Sequence, residues 1–273
     1  MRSTIFSLLL AFLAFGSEWR FFKEVSFEEI VRELLKYRVV YLGEVHTDEE
    51  IHELQLKIIE ALYKHDPKLI IAMEGFQQPF QEFLELYLDE EIDEEEMLKG
   101  TEYRKRWFPD EKLYAMLWRF AREKGVKVVA LNVPTELLRE IKKKGLKGVK
   151  SVYLPPEPVY PPEEYRKYLL EQMKLHGHKT DEKRFIDVQT AWDNGMAYRL
   201  YKLLLLYPEH RIVVIVGKGH LWRGYGIPYV LKKLMPEVKQ AILYPCPEER
   251  FYLLFSSDFS KECSSASSKS PPN

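Results

Sequence analysis

The sequence predicts an α/β protein: a parallel β-sheet flanked by helices, with a smaller all-helical subdomain built from insertions. Three observations carry this expectation. Short apolar runs at residues 39–42, 69–75, 126–134 and 211–216, bounded by polar residues or glycine, read as strands buried on both faces. Stretches with helical periodicity separate them, and strands alternating with helices define a parallel sheet with right-handed crossovers. Two connections, 79–124 and 135–208, are much longer than a crossover requires.

Residues 1–16 read as a secretory signal peptide. Arg2 precedes a short apolar stretch, and Ala14 and Gly16 satisfy the small-x-small rule for cleavage before Ser17. No cysteine lies near that point for lipid attachment, so the expected location is exported, either periplasmic or secreted. In such a compartment Cys246 and Cys263 are candidates for one disulfide. Residues 27–35 carry helical periodicity with Ser26 as cap. In 48–64 the apolar positions Ile51, Leu54, Ile58, Ile59 and Leu62 form one face of an amphipathic helix. The second strand ends in a carboxylate, Glu74, and the third in Asn132, with Pro134 as its stop.

The insertion 79–124 is charged and rich in Glu, Tyr and Trp. The insertion 135–208 is mostly helical around a proline-rich break at 155–162, and one of its helices puts Gln189, Asp193 and Met196 on roughly one face, beside Asp187 and Trp192. Residues 240–244 and 251–255 add edge strands. The main domain then runs over 17–260, and the serine-rich tail 261–273 is expected to be disordered.

Of 273 residues, 46 % are hydrophobic and 14 % aromatic, enough for a substantial core. The charges cancel to a formal −1, which gives no global attraction toward nucleic acid, and no nucleic-acid partner is expected.

The chemistry concentrates in two copies of one pattern, Gly43-Glu44-Val45-His46 and Gly217-Lys218-Gly219-His220, each following a strand-like run. Ligands of open α/β sheets bind beyond the strands' C-terminal ends, so Glu44, His46, Glu74, Asn132 and His220 are expected to meet there. His46, Glu74 and His220 suit a divalent metal, Zn or Mn, and with Glu44 they would make the catalytic set of a metal-dependent hydrolase. Imidazole is equally a haem axial ligand. The glycines have an ordinary explanation as residues supplying positive φ in tight turns. The plainer role for Glu44 and Glu74 is to order their loops. Tyr225 is expected to present a phenol at the cavity mouth, and tyrosinate suits ferric haem. His176 and His178 make a poor metal pair, and His52, His65 and His210 are expected to be exposed.

Five segments together resemble the ChaN family of haem-binding proteins, within the Tiki/TraB/EreA-like superfamily: LGEVH at 42–46, MEGFQ at 73–77, ALNVP at 130–134, QTAWDNGMA at 189–197 and VGKGHLWRGYGIP at 216–228. The resemblance implies an α/β domain with a helical subdomain, haem as cofactor, a role in haem and iron acquisition, and a homodimer holding haem between subunits. An outer-membrane haem receptor becomes an expected partner. Tyr225, His220, His46 and Trp222 are the residues to which haem binding would fall, with Tyr103, Trp107, Tyr114 and Trp118 lining an apolar slot. The missing lipid-attachment cysteine is a departure from the family, whose members are typically lipoproteins. The superfamily also contains hydrolases using paired GxxH motifs, which is the rival reading.

Overall fold

A computed structural model describes residues 19–21, 26–107, 110–177, 181–246 and 250–255. The expected leader, Cys263, His178 and the serine-rich tail lie outside the described residues.

The elements follow the chain as β1 (Trp19–Phe21), α1 (Phe27–Leu34), β2 (Val39–Glu44), α2 (Glu49–His65), β3 (Leu69–Gln77), α3 (Gln81–Leu88), α4 (Glu94–Gly100), α5 (Tyr103–Arg106), α6 (Lys112–Lys124) and β4 (Lys127–Asn132). Then come α7 (Thr135–Lys144), α8 (Glu163–Leu175), α9 (Glu182–Leu206), β5 (Arg211–Gly217), α10 (Ile227–Leu234), β6 (Gln240–Cys246) and β7 (Arg250–Phe255). The sheet order is β1-β7-β6-β2-β5-β3-β4. The five strands from β6 to β4 are parallel, and β7 and β1 add antiparallel at one edge. The two late edge strands match the sequence expectation; β1 is an addition to it.

Alternation along the strands divides the core. Val40, Leu42, Ile71, Met73, Val213 and Ile215 face α2, α3 and α6, while Val39, Tyr41, Ile70, Ala72, Ile212 and Val214 face α9 and α10. Each Val, Leu, Ile and Met among them contributes about 1.5–3 kcal/mol when fully buried. Local signals set the helix starts: Ser26 and Glu29 form a reciprocal capping box on α1, and Asp48 caps α2 through the amide of Ile51.

The long connections are layered against the sheet more than the sequence suggests. Leu84, Tyr87, Leu117 and Trp118 belong to the same cluster as the sheet residues, and α9 is a crossover helix on the opposite face. Small clusters independent of the sheet face remain in the second connection, around Leu137, Ile141 and Leu146 and around Tyr165, Leu169 and Ile186.

The chain path creates the functional edge. After β2 and β3 are laid down with a gap between them, β4 adds outside β3, and β5 returns to fill the gap. The strand ends of β2, β5 and β3 therefore adjoin, although β5 lies far along the chain, and this reversal is a topological switch point.

Candidate functional site

At that switch point β2 delivers Glu44, β3 delivers Glu74, and the 3-10 stretch Lys218–Gly224 after β5 delivers His220. His46 follows β2 directly. His220 Nδ1 donates to Asp193 Oδ1 of α9 at 2.7 Å, and its Nε2 lies 3.4 Å from Glu74 Oε1. The other Glu74 oxygen accepts the amide of Gly217 at 2.7 Å. On the β2 side, His46 Nδ1 donates to Glu44 Oε1 at 2.8 Å. Glu44 also accepts from Tyr114 Oη at 2.6 Å and from Gln55 Nε2 at 3.1 Å. Both imidazoles thus have Nδ1 anchored on a carboxylate, with Glu74 between them.

Glu44, Glu74 and Asp193 are buried, so their charge must be matched locally. Burial pushes the His220 imidazole down, but Glu74 and Asp193 overcome it and raise its pKa to about 10. Burial likewise opposes ionisation of Glu74, yet the His220 charge, with His46 and the Gly217 amide, draws it down to about 2. His46 is raised despite its burial, through the Glu44 hydrogen bond and the Glu74 charge. Burial pushes Asp193 up against the pull of His220, and pushes the Tyr114 phenol far up, reinforced by Glu44. Both His220 nitrogens face carboxylates, which favours the protonated imidazole, a form with no lone pair for a metal.

The metal centre expected of His46, Glu74 and His220 is not formed. Among the described residues no group of three or more His, Cys, Asp or Glu side chains could hold a metal ion. The reason is visible in the hydrogen bonds: the would-be ligands satisfy one another and the Gly217 amide instead of pointing at a common centre.

The first glycine of the GKGH motif has a different role from that of a turn. Gly217 has φ −54°, open to any residue. A methyl group there would lie 2.8 Å from His46 Cε1, 2.9 Å from Nε2 and 3.4 Å from Glu74 Oε2. Glycine is needed because an imidazole and a carboxylate lean over it. Gly217→Ala is expected to swing His46 away from Glu74 at a cost of about 1 kcal/mol, the low end for overpacking, because a half-buried ring can move. An NMR titration checks this, with the raised His46 pKa falling toward its ordinary value.

Of the remaining expected site residues, Asn132 sits at the same edge but its Oδ1 accepts the amide of Val133, ordering its own loop. Gln189 joins Tyr168, Leu169, Gln172, His176, Lys218 and His220 in lining a cavity of about 290 Å³ beside the site. Trp192 approaches His220 edge-on at 6.0 Å, while Met196 is buried in the core. Trp222 stacks on Tyr168 at 4.4 Å and 7°, with Tyr165 near-parallel at 6.2 Å from the indole. Tyr225 is half-buried beside Trp222, at 6.1 Å between rings, and its Oη donates to Glu164 Oε2 at 3.0 Å. Trp107 packs edge-on against His46 at 4.8 Å. Tyr103, Tyr114 and Trp118, expected in an apolar slot, are instead buried in the core against the sheet.

His52 is also corrected: it is fully buried, with Nδ1 3.0 Å from Gln55 Oε1 and Nε2 3.2 Å from the carbonyl of His46. Gln55 in turn holds Glu44 and the Leu42 carbonyl. A signal for this second layer was present: His52 and Gln55 fall in the stripe of Ile51, Ile58, Ile59 and Leu62, and polar residues on a buried stripe must find partners.

The fold and site define an α/β protein with two carboxylate-anchored imidazoles at the switch point of a parallel sheet. The family described as haem-binding uptake, Tiki superfamily, ChaN matches residues 30–231, and the chain belongs to it. The ChaN structure from Campylobacter jejuni described as binding haem cofacially is similar, with TM-score 0.68, 20 % identity, and coverage of 85 % of this chain and 92 % of that one. An erythromycin esterase, EreC, in its open conformation is similar at TM-score 0.50 and 13 % identity, covering 87 % of this chain and 83 % of that one. The chloroplastic protein RETICULATA-RELATED 5 of Arabidopsis thaliana is 27 % identical over an alignment of 267 positions that covers 82 % of this chain. The chain spans about a third (33 %) of that relative's length.

Proposed function

We propose that this protein binds haem at the C-terminal edge of its sheet and serves haem and iron acquisition as an exported protein. The observation that carries the reading is the stacked aromatic cluster of Tyr165, Tyr168 and Trp222, adjoined by Tyr225, beside a cavity lined by Tyr168 and Lys218. Family membership supports haem as the ligand. Haem, when bound, would supply a flat apolar face and an iron that takes an oxygen donor. The residues present fit it. Tyr225 would hold the iron through its phenolic oxygen, with Glu164 placed to take the phenolic proton and Arg223, 3.7 Å from Glu164, to offset the charge. Trp222 would support the porphyrin face, His220 and His46 would border it, and Lys218 in the cavity lining would supply positive charge for its carboxylates.

The cavity of about 290 Å³ lies at the small end of ligand pockets, so much of the haem stays outside it and a second copy of the chain is the natural cover. Export rests on the apolar stretch at residues 5–16. An outer-membrane haem receptor is the partner this location suggests.

A second reading is favoured by one observation: two imidazoles have Nδ1 held by carboxylates with Glu74 between them, which fits an acid–base hydrolase with His220, its pKa raised, as candidate acid and His46 as candidate base. A titration of the protein with ferric haem in EDTA, followed in the visible region and by light scattering, tests both. The expected result is a saturable Soret shift at one haem per chain with haem-dependent dimer formation. No saturable shift, together with turnover of nitrophenyl esters in EDTA, would transfer the site to the second reading.

A further inference from the structure

Beyond β4, on the side away from β3, the open edge of the sheet faces a groove of about 660 Å³. It is walled by α3, the start of β4 and the last turns of α9, and it is separate from the residues of the haem reading. The strand edge itself is closed to pairing. Gln81 donates to the carbonyl of Val128 at 3.1 Å and accepts from the amide of Ala130 at 2.8 Å, and Gln78 donates to the carbonyl of Leu131 at 3.0 Å. An added strand would find these backbone groups taken.

What the groove offers instead is the guanidinium of Arg199. It is half-buried, its Nε is buried with no hydrogen-bond partner among the described residues, and its hydrogen bond to Gln81 Oε1 is long at 3.4 Å. No carboxylate among the described residues stands within ion-pair distance of it. The contrast with Arg104, Arg106 and Arg119 is clear, since each of those is locked onto glutamates. Burial pushes Arg199 below its ordinary pKa, only partly offset by Glu85, whereas the three paired arginines are raised by their partners. A guanidinium withdrawn from water without a counter-ion is a cost that an incoming anion relieves.

The surroundings narrow the anion. Leu88, Leu203, Leu206 and Tyr207 give the groove an apolar wall, and Leu206 is 69 % exposed. Lys127 supplies a second cation at one end, over the Tyr207 ring at 5.7 Å. The rim carboxylates Glu85 and Asp89 are exposed and disfavour multiply charged anions such as phosphates. We propose that this groove binds a monocarboxylate with an apolar body, its carboxylate forked on Arg199 and its chain lying along Leu203, Leu206 and Tyr207. A planar fork of donors matched to a carboxylate is the geometry Arg provides and Lys does not.

The test is calorimetric titration of the full chain and of Arg199→Met with decanoate, decanol and inorganic phosphate. The expected result is saturable one-to-one binding of decanoate, at least tenfold weaker in Arg199→Met, with decanol weaker than decanoate and phosphate not bound. Equal binding of decanol and decanoate, or unchanged decanoate affinity in the variant, would overturn the proposal. Thermal melting without ligand adds a readout independent of any ligand. A guanidinium kept for binding predicts an equal or higher Tm in Arg199→Met, since an unpaired buried charge is removed. A Tm lower by several degrees would make Arg199 structural and sink the idea.

Discussion

His220→Ala is expected to lower the unfolding free energy by about 3–5 kcal/mol near neutral pH, the cost of removing one partner from a buried ion cluster. The substitution leaves Glu74 and Asp193 as two buried carboxylates whose shared imidazolium is gone. The pH dependence gives a signature that a simple cavity would not. His220 is raised from 6.5 to about 10, so its contribution is complete below pH 6.5 and is lost as pH rises through 10. Glu74 is lowered from 4.5 to about 2, so its contribution is complete above pH 4.5 and is lost as pH falls through 2. The wild-type cluster therefore stabilises most between about pH 4.5 and 6.5. In His220→Ala the decline between 6.5 and 10 should vanish, and the deficit should shrink in acid as the stranded carboxylates protonate. Urea unfolding at pH 3, 6 and 9 measures this; slopes parallel to the wild type would mean that His220 is not charged in the folded protein.

Tyr225→Phe removes the phenolic oxygen and is expected to weaken ferric haem binding by at least tenfold, which is about 1.4 kcal/mol, and to displace the Soret band. Stability should change by no more than about 1 kcal/mol, because the lost bond to Glu164 is exposed to solvent. The two effects separate the roles of the candidate residues. His220, with both nitrogens given to carboxylates, would influence haem through charge, while Tyr225 would bind the iron directly. An unchanged Soret position and affinity in Tyr225→Phe would remove that phenol from the site.

Particular residues show how far the sequence could be read. Strand runs such as 39–42 and 211–216 are apolar on both faces because helices cover both sides of the sheet, and this pattern is local. The GxxH loops and Glu74 could be placed because a strand's end is a local feature and the C-terminal edge is where parallel sheets bind. Asp193 was visible as one face of a helix, but its attachment to His220 was not, since the two are brought together by packing of α9 across the sheet. His52 was misjudged because charge-rich neighbours suggested exposure, while its place in the buried stripe of α2 makes it part of the second layer holding Glu44. Tyr103, Tyr114 and Trp118 had the composition of a ligand slot, and only the docking of α5 and α6 on the sheet showed them as core.

Residue order and type suffice for the α/β class, the alternating elements, the helix caps and the set of polar groups at strand ends, because each depends on spacing along a few turns or strand repeats. The third dimension was needed to show that those polar groups pair with one another, that Gly217 is small to admit an imidazole, and that Arg199 has no carboxylate partner among the described residues. Each of these depends on contacts between segments tens to more than a hundred residues apart, and a buried charge has no defined state until its neighbours are in place.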